Sequence, residues 1–434
     1  HSVETIHNAE RMGINATLQS IDFGRLRDFR VSTVETMTKG LTGLLAHRGV
    51  TVFRGCAALQ NAHTVRVTPA EGETQVSRSV EAGVFEPVET ELAIDADDVV
   101  LATGSRPLAL PGNPFAGALI DSTQALELNT LPSSAVIIGA GAVALEFASL
   151  WNAAGCEVTL LIRKDRVLST WERRASMTLT RELKRRGVNV IARTAVDRVD
   201  TGANLGATVH YRQGDSDEDR TAYGEVVLAA IGRVPNTDAD WFRSSGLKLD
   251  ERGYVTVDGY GRTNLDGVWA LGDITPGHAL AHRAFEQGIT IAEKIAGADP
   301  KPVLDDTVPQ VVFSFPEAAS VGLTLDQAKA REDVVEPKET AYPMLSNARM
   351  LMSGEGGSMT VVSGAFANNP DMQVVLGVHI VSPIASDLIA EAEQLVGNRV
   401  PLADAARLIH PHPTFSETLG EALLKADGRP LHTR

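Results

Sequence analysis

Only two cysteines, Cys56 and Cys156, occur in 434 residues. Two thiols a hundred residues apart cannot make a disulfide framework, so a covalently stapled secreted scaffold is excluded. A reducing, cytoplasmic compartment is expected instead. Basic residues are also in short supply: 40 Lys and Arg stand against 55 Asp and Glu, for a net charge of −15. Phosphate backbones are recognised by clustered cations, so no nucleic-acid partner is expected. No apolar run reaches the roughly 18 residues that a membrane-crossing helix requires, so no membrane association is expected. Short-period repeats and low-complexity tracts are missing as well, and no metal is expected. What remains is ordinary globular material, 43% hydrophobic and 22% charged, with length for two to four domains and a sizeable core.

Along the chain, residues 1–50 read mostly as helix. Val34, Met37, Leu41, Leu44 and Leu45 recur at three- and four-residue steps, and Arg48-Gly49 closes the pattern. Val50–Phe53 and His63–Val67 read as strands, and residues 69–93 as a hairpin with a loose tip. Asp98–Gly104 reads as a buried strand running into a glycine turn, followed by a linker marked by Pro107, Pro111 and Pro114. From Ser134 to Ile231 the alternation of strand and helix predicts a parallel βαβ domain. Residues 237–305 return to strand, turn and helix. Residues 306–434 read as a separate α+β unit, opening at Val311-Val312-Phe313 and ending in a short helix.

Gly139-Ala140-Gly141-Ala142-Val143-Ala144 follows the strand Ala135–Ile138 and precedes a helix through Ala154. A dinucleotide needs that context. Gly139 permits the tight turn, Gly141 lets a pyrophosphate approach the backbone, and small Ala144 lets helix and strand pack closely. The helix N-terminus supplies N–H groups and a positive dipole. The end of the following strand selects the nucleotide. An NAD enzyme usually places an acid there for the ribose hydroxyls, whereas this chain has Ile162 followed by Arg163, Lys164 and Arg166. Isoleucine accepts no hydrogen bond and an arginine fork suits a 2′-phosphate, so NADP(H) is expected over NAD(H). The alternative is a solvated basic loop partly balanced by Asp165. Glu146 stands in the first turn of the motif helix, where it complements the helix dipole or serves the nucleotide.

Near the end, His410-Pro411-His412-Pro413-Thr414-Phe415-Ser416-Glu417 offers a histidine that can move protons near neutrality and a carboxylate to fix its tautomer. The prolines hold the imidazole on an extended, stiff segment. Thr414-x-x-Glu417 is also a capping box for the next helix, a structural reading that stays open. His410 reads as a supporting histidine.

Taken in order, these segments resemble the pyridine nucleotide-disulfide oxidoreductases. The resemblance covers essentially the whole chain and is joined by Thr263-Asn264-Leu265-Asp266-Gly267-Val268-Trp269-Ala270-Leu271-Gly272-Asp273, similar to the family's second FAD motif. It implies an α/β fold in which FAD- and NAD(P)-binding Rossmann-like domains precede an α+β dimerisation domain. The implied division is an FAD-domain remnant at 1–121, an NAD(P) domain at 122–236, a central domain at 237–305 and an interface domain at 306–434. FAD would lie against Ala57, Thr103 and Gly104. Asp273 would take ribityl hydroxyls, and the helix opening at Ala279, Leu280, Ala281 and His282 would aim its N-terminus at the flavin. Glu146 would face nicotinamide and flavin, with Gly232 beside the nicotinamide nucleotide. His412 would be the catalytic base and Glu417 its orienting carboxylate, reaching into the partner subunit of an obligatory homodimer.

The resemblance has departures. The family opens with a glycine-rich FAD turn and a Cys-x-x-x-x-Cys pair. This chain begins His1-Ser2-Val3-Glu4-Thr5, similar to the helix just past that pair, so about 50 residues of the pattern are expected to be lacking. The polypeptide as given is then expected not to retain FAD or reduce a disulfide. Cys56 and Cys156 are not expected to form the redox pair, and Cys156 reads as a small buried hydrophobe. Residues 376–388 look most like the dihydrolipoamide dehydrogenases. Arg163 looks like the NADPH loop of the glutathione reductases, although that loop's second arginine falls on Ser169. The implied activity is hydride transfer between NAD(P)H and FAD, with electrons to or from a small disulfide or dithiol, a lipoyl-bearing protein being among the expected partners. The alternatives are an NADPH-dependent reductase of quinones or low-molecular-weight disulfides, and a non-catalytic nucleotide-binding fragment.

Overall fold

The computed structural model describes residues 2–202 and 206–433; His1, where the pattern departs from the family, lies outside them. The chain forms two compact units, each assembled from separated segments. One comprises His1–Ile21, Pro107–Gly232 and Asp306–Arg434, the other Asp22–Arg106 and Arg233–Asp305. The stretch 1–121 thus divides, with Asp22–Arg106 alone in the second unit.

In the first unit, five strands form a parallel sheet in the order Asn189–Ala192, Glu157–Ile162, Ser134–Ile138, Val226–Ala229, Leu119–Ile120. Helices cover such sheets on both faces, so their strands are apolar throughout. Ala135, Val136, Ile137 and Ile138 are all buried accordingly. The helix Ala142–Ala154 returns along the sheet and stops at Gly155, whose left-handed φ of 104° caps it. The alternation expected from 134 to 231 is interrupted. Thr194–Asp200, Ala207–Gln213 and Arg220–Gly224 form an antiparallel three-stranded sheet inserted in sequence between the parallel strands Asn189–Ala192 and Val226–Ala229. Residues 207–211 alternate buried and half-buried, the period-two signature of a strand with one covered face.

The C-terminal part of this unit carries an antiparallel sheet ordered Gln310–Val312, Glu317–Gly322, Asn369–Ser382, Ser358–Phe366, Val334–Tyr342. Helices Ala385–Gly397 and Glu417–Ala426 share one core with it, through Leu388, Leu395, Leu419 and Leu423 against Val361, Val378 and Ile380. Residues 376–388 are the end of the central strand and the start of the helix behind it. Within the strand, fully buried His379 is satisfied by Ser320 at Nδ1, 2.8 Å, and by the Leu323 carbonyl at Nε2, 3.2 Å. Burial holds its pKa below the ordinary histidine range, with the nearby Glu172 charge opposing. The short helix Ser2–Asn8 is pinned to this unit by ions: Glu4 meets Arg186 at 2.7 Å, and Arg186 meets Glu355 at 2.5 Å.

The second unit holds the helix Phe23–His47, started by Asp22 accepting from the Arg25 N–H at 3.0 Å. The helical spacing is realised, yet Val34, Met37, Leu41 and Leu44 are exposed on it. The expected strand at Val50–Phe53 shortens to Phe53–Arg54. The hairpin within 69–93 pairs Ser77–Glu81 with Val84–Pro87. Its tip is tight, not loose, because Glu81 pairs directly with Val84 and Gly83 takes φ 77°. Val99–Leu101 pairs in parallel with Val268–Ala270 over a core of Leu59, Phe242, Val255 and Ile274. Among the described residues no helix is long and apolar enough to cross a membrane.

Candidate functional site

The glycine loop sits in the first unit where the strand Ser134–Ile138 hands over to its helix. Gly139 has φ 143°, and a Cβ there would collide with the Ala230 carbonyl and crowd the Ala144 methyl. Ala144 is fully buried, so its small size is what permits that approach. Gly141 is the helix N-cap, has no side chain to offer the first-turn N–H groups, and opens onto free space. The loop therefore presents uncapped donors at a positive helix end with room for a phosphate. Gly232 takes φ 146° and accepts from the Leu108 amide at 3.0 Å.

Ile162 is fully buried and its carbonyl is taken by the Thr194 hydroxyl at 3.1 Å, leaving no acceptor for a ribose. Arg163 and Lys164 are exposed, and their side chains have no hydrogen bond or ion pair among the described residues. Arg166 is committed, to Asp165 at 3.0 Å and to the Ser169 carbonyl at 3.0 Å. The Asp165 charge that a solvated-loop reading sets against the arginines is thus already matched by Arg166.

Glu146 does not lie in the first turn. The helix begins at Ala142 with no acid in its first turn, and the dipole effect fades beyond that turn. Its carboxylate instead accepts from the Phe313 amide at 3.0 Å. Burial raises its pKa above the ordinary carboxylate range, and the Phe313 bond only partly offsets this. A carboxyl prepared in this way can exchange a proton closer to neutrality.

In the second unit, Asp273 follows the strand Val268–Ala270, and the Gly272 amide is fixed by Gln287 at 2.9 Å. The Asp273 carboxylate accepts from Ser105 at 2.5 Å, and Ser105 in turn accepts from Arg233 at 2.7 Å. Thr103 and Asn236 exchange two hydrogen bonds of 2.9 Å, and the Asn236 amide takes the Gly104 carbonyl at 2.9 Å. The helix Ala281–Ile295 starts at Leu280 without a side-chain cap, and Ala279, Ala281 and His282 are exposed at its head. Buried Arg283 holds the preceding turn by its bonds to Asp305 at 2.6 Å and to the Pro276 carbonyl at 2.5 Å. Ala57 is exposed on the strand Cys56–Asn61. These residues fit the ribityl and ring end of FAD: an oriented carboxylate, an ordered Thr-Gly turn and an uncapped helix N-terminus. Arg233 and Asn236 lie in a strand-end turn that resembles the family's and Arg283 in the helix after Ala279–His282, whereas Ser105 had no signal in the sequence, since it works through distant partners.

At the C-terminus, His412 Nδ1 lies 2.7 Å from Glu417 Oε1, and Oε2 of the same carboxylate accepts from the Thr414 amide at 2.8 Å. Nδ1 is therefore the donor, and Nε2 of an imidazole that is 76% exposed is left as the basic nitrogen. Only half of the capping box forms: the Thr414 hydroxyl bonds to the Pro411 carbonyl, and the helix opens at Glu417 itself. Burial opposes ionisation of Glu417. The Thr414 amide and His412 outweigh it, and the carboxyl sits below its ordinary range. The segment bends over residues 412–415 instead of being simply extended, and the His412–Pro413 peptide is cis. It is held from both sides. His410 Nε2 meets Glu391 at 2.9 Å while its ring covers Gly420, and Asn347 donates to the Thr414 carbonyl at 3.0 Å. The Glu391 bond is the main cause of a raised His410 pKa.

Cys156 is buried, which pushes its thiol up to about 11, with Glu225 and Glu157 adding to the shift, while Cys56 is exposed. A thiol that stays protonated at neutral pH is no redox nucleophile.

Residues 2–288 match the pyridine nucleotide-disulphide oxidoreductases, and residues 308–423 match the dimerisation domain of that family. The dihydrolipoyl dehydrogenase of Geobacillus stearothermophilus is 35% identical over 438 residues, covering 100% of this chain and 86% of that protein. The Chlamydia pneumoniae dihydrolipoyl dehydrogenase is 31% identical, covering 99% and 86%. Among solved structures, LpdA from Mycobacterium tuberculosis superposes with a TM-score of 0.80 at 26% identity, covering 98% of this chain and 88% of that one. The HOCl-induced flavoprotein disulfide reductase RclA of Escherichia coli shares the fold, with a TM-score of 0.78 at 23% identity over 97% and 89% of the two chains.

Proposed function

The chain belongs to the pyridine nucleotide-disulphide oxidoreductases, and from that premise we propose that it acts as a dihydrolipoyl dehydrogenase-like enzyme on a dithiol/disulfide couple. It is an FAD-dependent NAD(P)H oxidoreductase with a dimerisation domain at residues 308–423. The observation that carries the dithiol reading is the His412–Glu417 pair, 2.7 Å apart with the outer imidazole nitrogen open. A dithiol must give up protons to a base to become a nucleophile and be oxidised, whereas a quinone takes up protons on reduction and needs no base.

FAD, when bound, supplies the two-electron relay between nicotinamide and sulfur. Asp273, steadied by Ser105, would hold its ribityl hydroxyls. Thr103, Gly104 and Ala57 would lie against it, and Ala279–His282 would direct a helix N-terminus at its ring. Gly139, Gly141 and Ala144 would seat the pyridine nucleotide's pyrophosphate, with Gly232 and Glu146 beside the nicotinamide. His412 would take and return the thiol proton, and Glu417 would fix its tautomer. In a homodimer this tail would serve the partner subunit's site. The implied division is a flavin domain at 1–121, a nucleotide domain at 122–236, a central domain at 237–305 and an interface domain at 306–434. The setting is cytoplasmic, and the substrate is a small dithiol or a lipoyl-bearing protein.

Ile162, Arg163 and Lys164 favour NADP(H), which supports a second reading, an NADPH-dependent reductase of a quinone or low-molecular-weight disulfide. The two part in one assay. Flavin-loaded enzyme that contains the family's glycine-rich FAD turn and Cys-x-x-x-x-Cys pair is given dihydrolipoamide with NAD⁺ or NADP⁺, and separately NADPH with a benzoquinone. Turnover of the dithiol that depends on His412 supports the first reading. Quinone turnover unaffected by His412→Gln, with no dithiol oxidation, replaces it by the second.

A further inference from the structure

Along the helix Arg173–Arg185, the side chains of Arg174, Thr178 and Arg181 are spaced by four and three residues and so share one face. Opposite them lie Ala341-Tyr342-Pro343 and Gly357-Ser358, at the paired ends of two sheet strands, and Lys425 from the last helix. Together these residues line an open cavity of about 350 Å³. Its wall carries three cations and three hydroxyl side chains and no carboxylate. In a chain of net charge −15, such a local excess runs against the overall balance.

The cations are loosely committed. The side chains of Arg174 and Lys425 make no hydrogen bond or ion pair among the described residues. Arg181 reaches only Glu182, at 3.4 Å, and that carboxylate is held on its other oxygen by Arg185 at 2.7 Å. Ser358 is 4% exposed, and its hydroxyl has no hydrogen-bond partner among the described residues. Buried hydroxyls are normally satisfied. Burial, with Glu421 and Glu417 adding to it, pushes the Tyr342 hydroxyl up to about 12, so it remains a donor at neutral pH. The acids nearby, Glu172 and Glu339, line an adjoining cavity that shares Arg174, Thr178 and Arg181 with this one, and Glu339 feels the Arg174 charge, but neither acid lines this cavity.

We propose that this cavity is a phosphate-binding subsite, taking inorganic phosphate or the phosphate of a monoester, separate from the glycine loop. Two cations from one helix face and a third from the last helix, with the Tyr342 and Ser358 hydroxyls at the strand ends between them, match a dianion whose oxygens point several ways. A carboxylate would leave much of that charge unmatched.

The test titrates the 434-residue protein at constant ionic strength with inorganic phosphate, then with glycerol phosphate. Amide resonances of Thr178, Gly357 and Ser358 are followed alongside those of Gly141–Ala144 at the nucleotide loop. Saturable shifts at the first set are expected, weakened about tenfold or more by Arg181→Gln or Lys425→Gln. Arg173→Gln, outside the cavity wall, should leave them unchanged. A monoester binding more tightly than phosphate identifies an organic phosphate as the ligand, and equal binding identifies the free ion. Shifts confined to Gly141–Ala144, or an equal loss in Arg173→Gln, would overturn the proposal.

Discussion

His412 Nδ1 and the Thr414 amide share one carboxylate, that of Glu417, through its two oxygens at 2.7 and 2.8 Å. The acid that orients the imidazole is thus also the acid that closes the turn before the helix. The two sequence-based readings of Glu417 describe one side chain.

Substitutions at this pair separate its two duties. In intact enzyme that contains the FAD turn and the Cys-x-x-x-x-Cys pair, His412→Gln should slow dithiol turnover by about 10²–10⁴-fold while leaving flavin reduction by NAD(P)H nearly intact. Glu417→Gln keeps an acceptor for the Thr414 amide and should slow turnover without loss of stability. Glu417→Ala loses both bonds and should also cost about 1 kcal/mol in urea unfolding. Equal turnover in Glu417→Gln and the parent would leave the carboxylate only a structural part.

Under the proposed preference for NADP(H), nucleotide choice would rest on exposed, uncommitted Arg163. Arg163→Ala should weaken NADPH binding by roughly 1.5–3 kcal/mol, the worth of a charge-assisted contact, and hardly affect NADH. Calorimetric titration of both nucleotides reads this directly. Tighter NADH binding by the parent protein would count against the assignment.

The two motif glycines should respond differently. Gly139→Ala drives a methyl into the Ala230 carbonyl and should lower the melting temperature even without ligand. Gly141→Ala meets only free space in the protein, so its melting temperature should hold while NAD(P)H affinity falls. If both variants melt like the parent, the close approach at Gly139 is not a constraint.

His410 gives the C-terminal segment a pH dependence. Its pKa is raised on folding, chiefly by Glu391, so the protonated form is favoured in the folded state. The resulting stabilisation is complete below the unfolded value of about 6.5 and is lost as pH rises through the raised folded value. Urea midpoints measured from pH 6 to 8.5 should decline more steeply in the parent than in His410→Gln. Parallel curves would show that the pair carries no net stability.

What was legible in the sequence was local. The glycine loop, the strand end at Asp273 and the His412–Glu417 spacing are read within a dozen residues, where neighbours in sequence are neighbours in space. Partners that settle a side chain's role lie far off. Phe313 fixes Glu146 from 167 residues away, and Arg233 reaches Ser105 across 128. The antiparallel insert at 194–224 was missed although Ala207–Tyr211 alternates, because the direction in which a strand pairs is set by its partners and not by its own residues. Glu146 was misplaced by one turn because helix starts blur when the N-cap is a glycine.

Neither unit is one continuous piece of chain. Asp22–Arg106 must wait for Arg233–Asp305, and the sheet around the glycine loop shares its unit with a segment that begins only at Asp306. During synthesis the first hundred residues therefore emerge well before the strand Val268–Ala270 that pairs with Val99–Leu101. Helix Phe23–His47, with its exposed apolar side chains, spends that interval beside a half-made core. Such delayed pairing is slow and open to aggregation, so yield on expression should depend on temperature and chaperone supply more than on the stability of the finished fold.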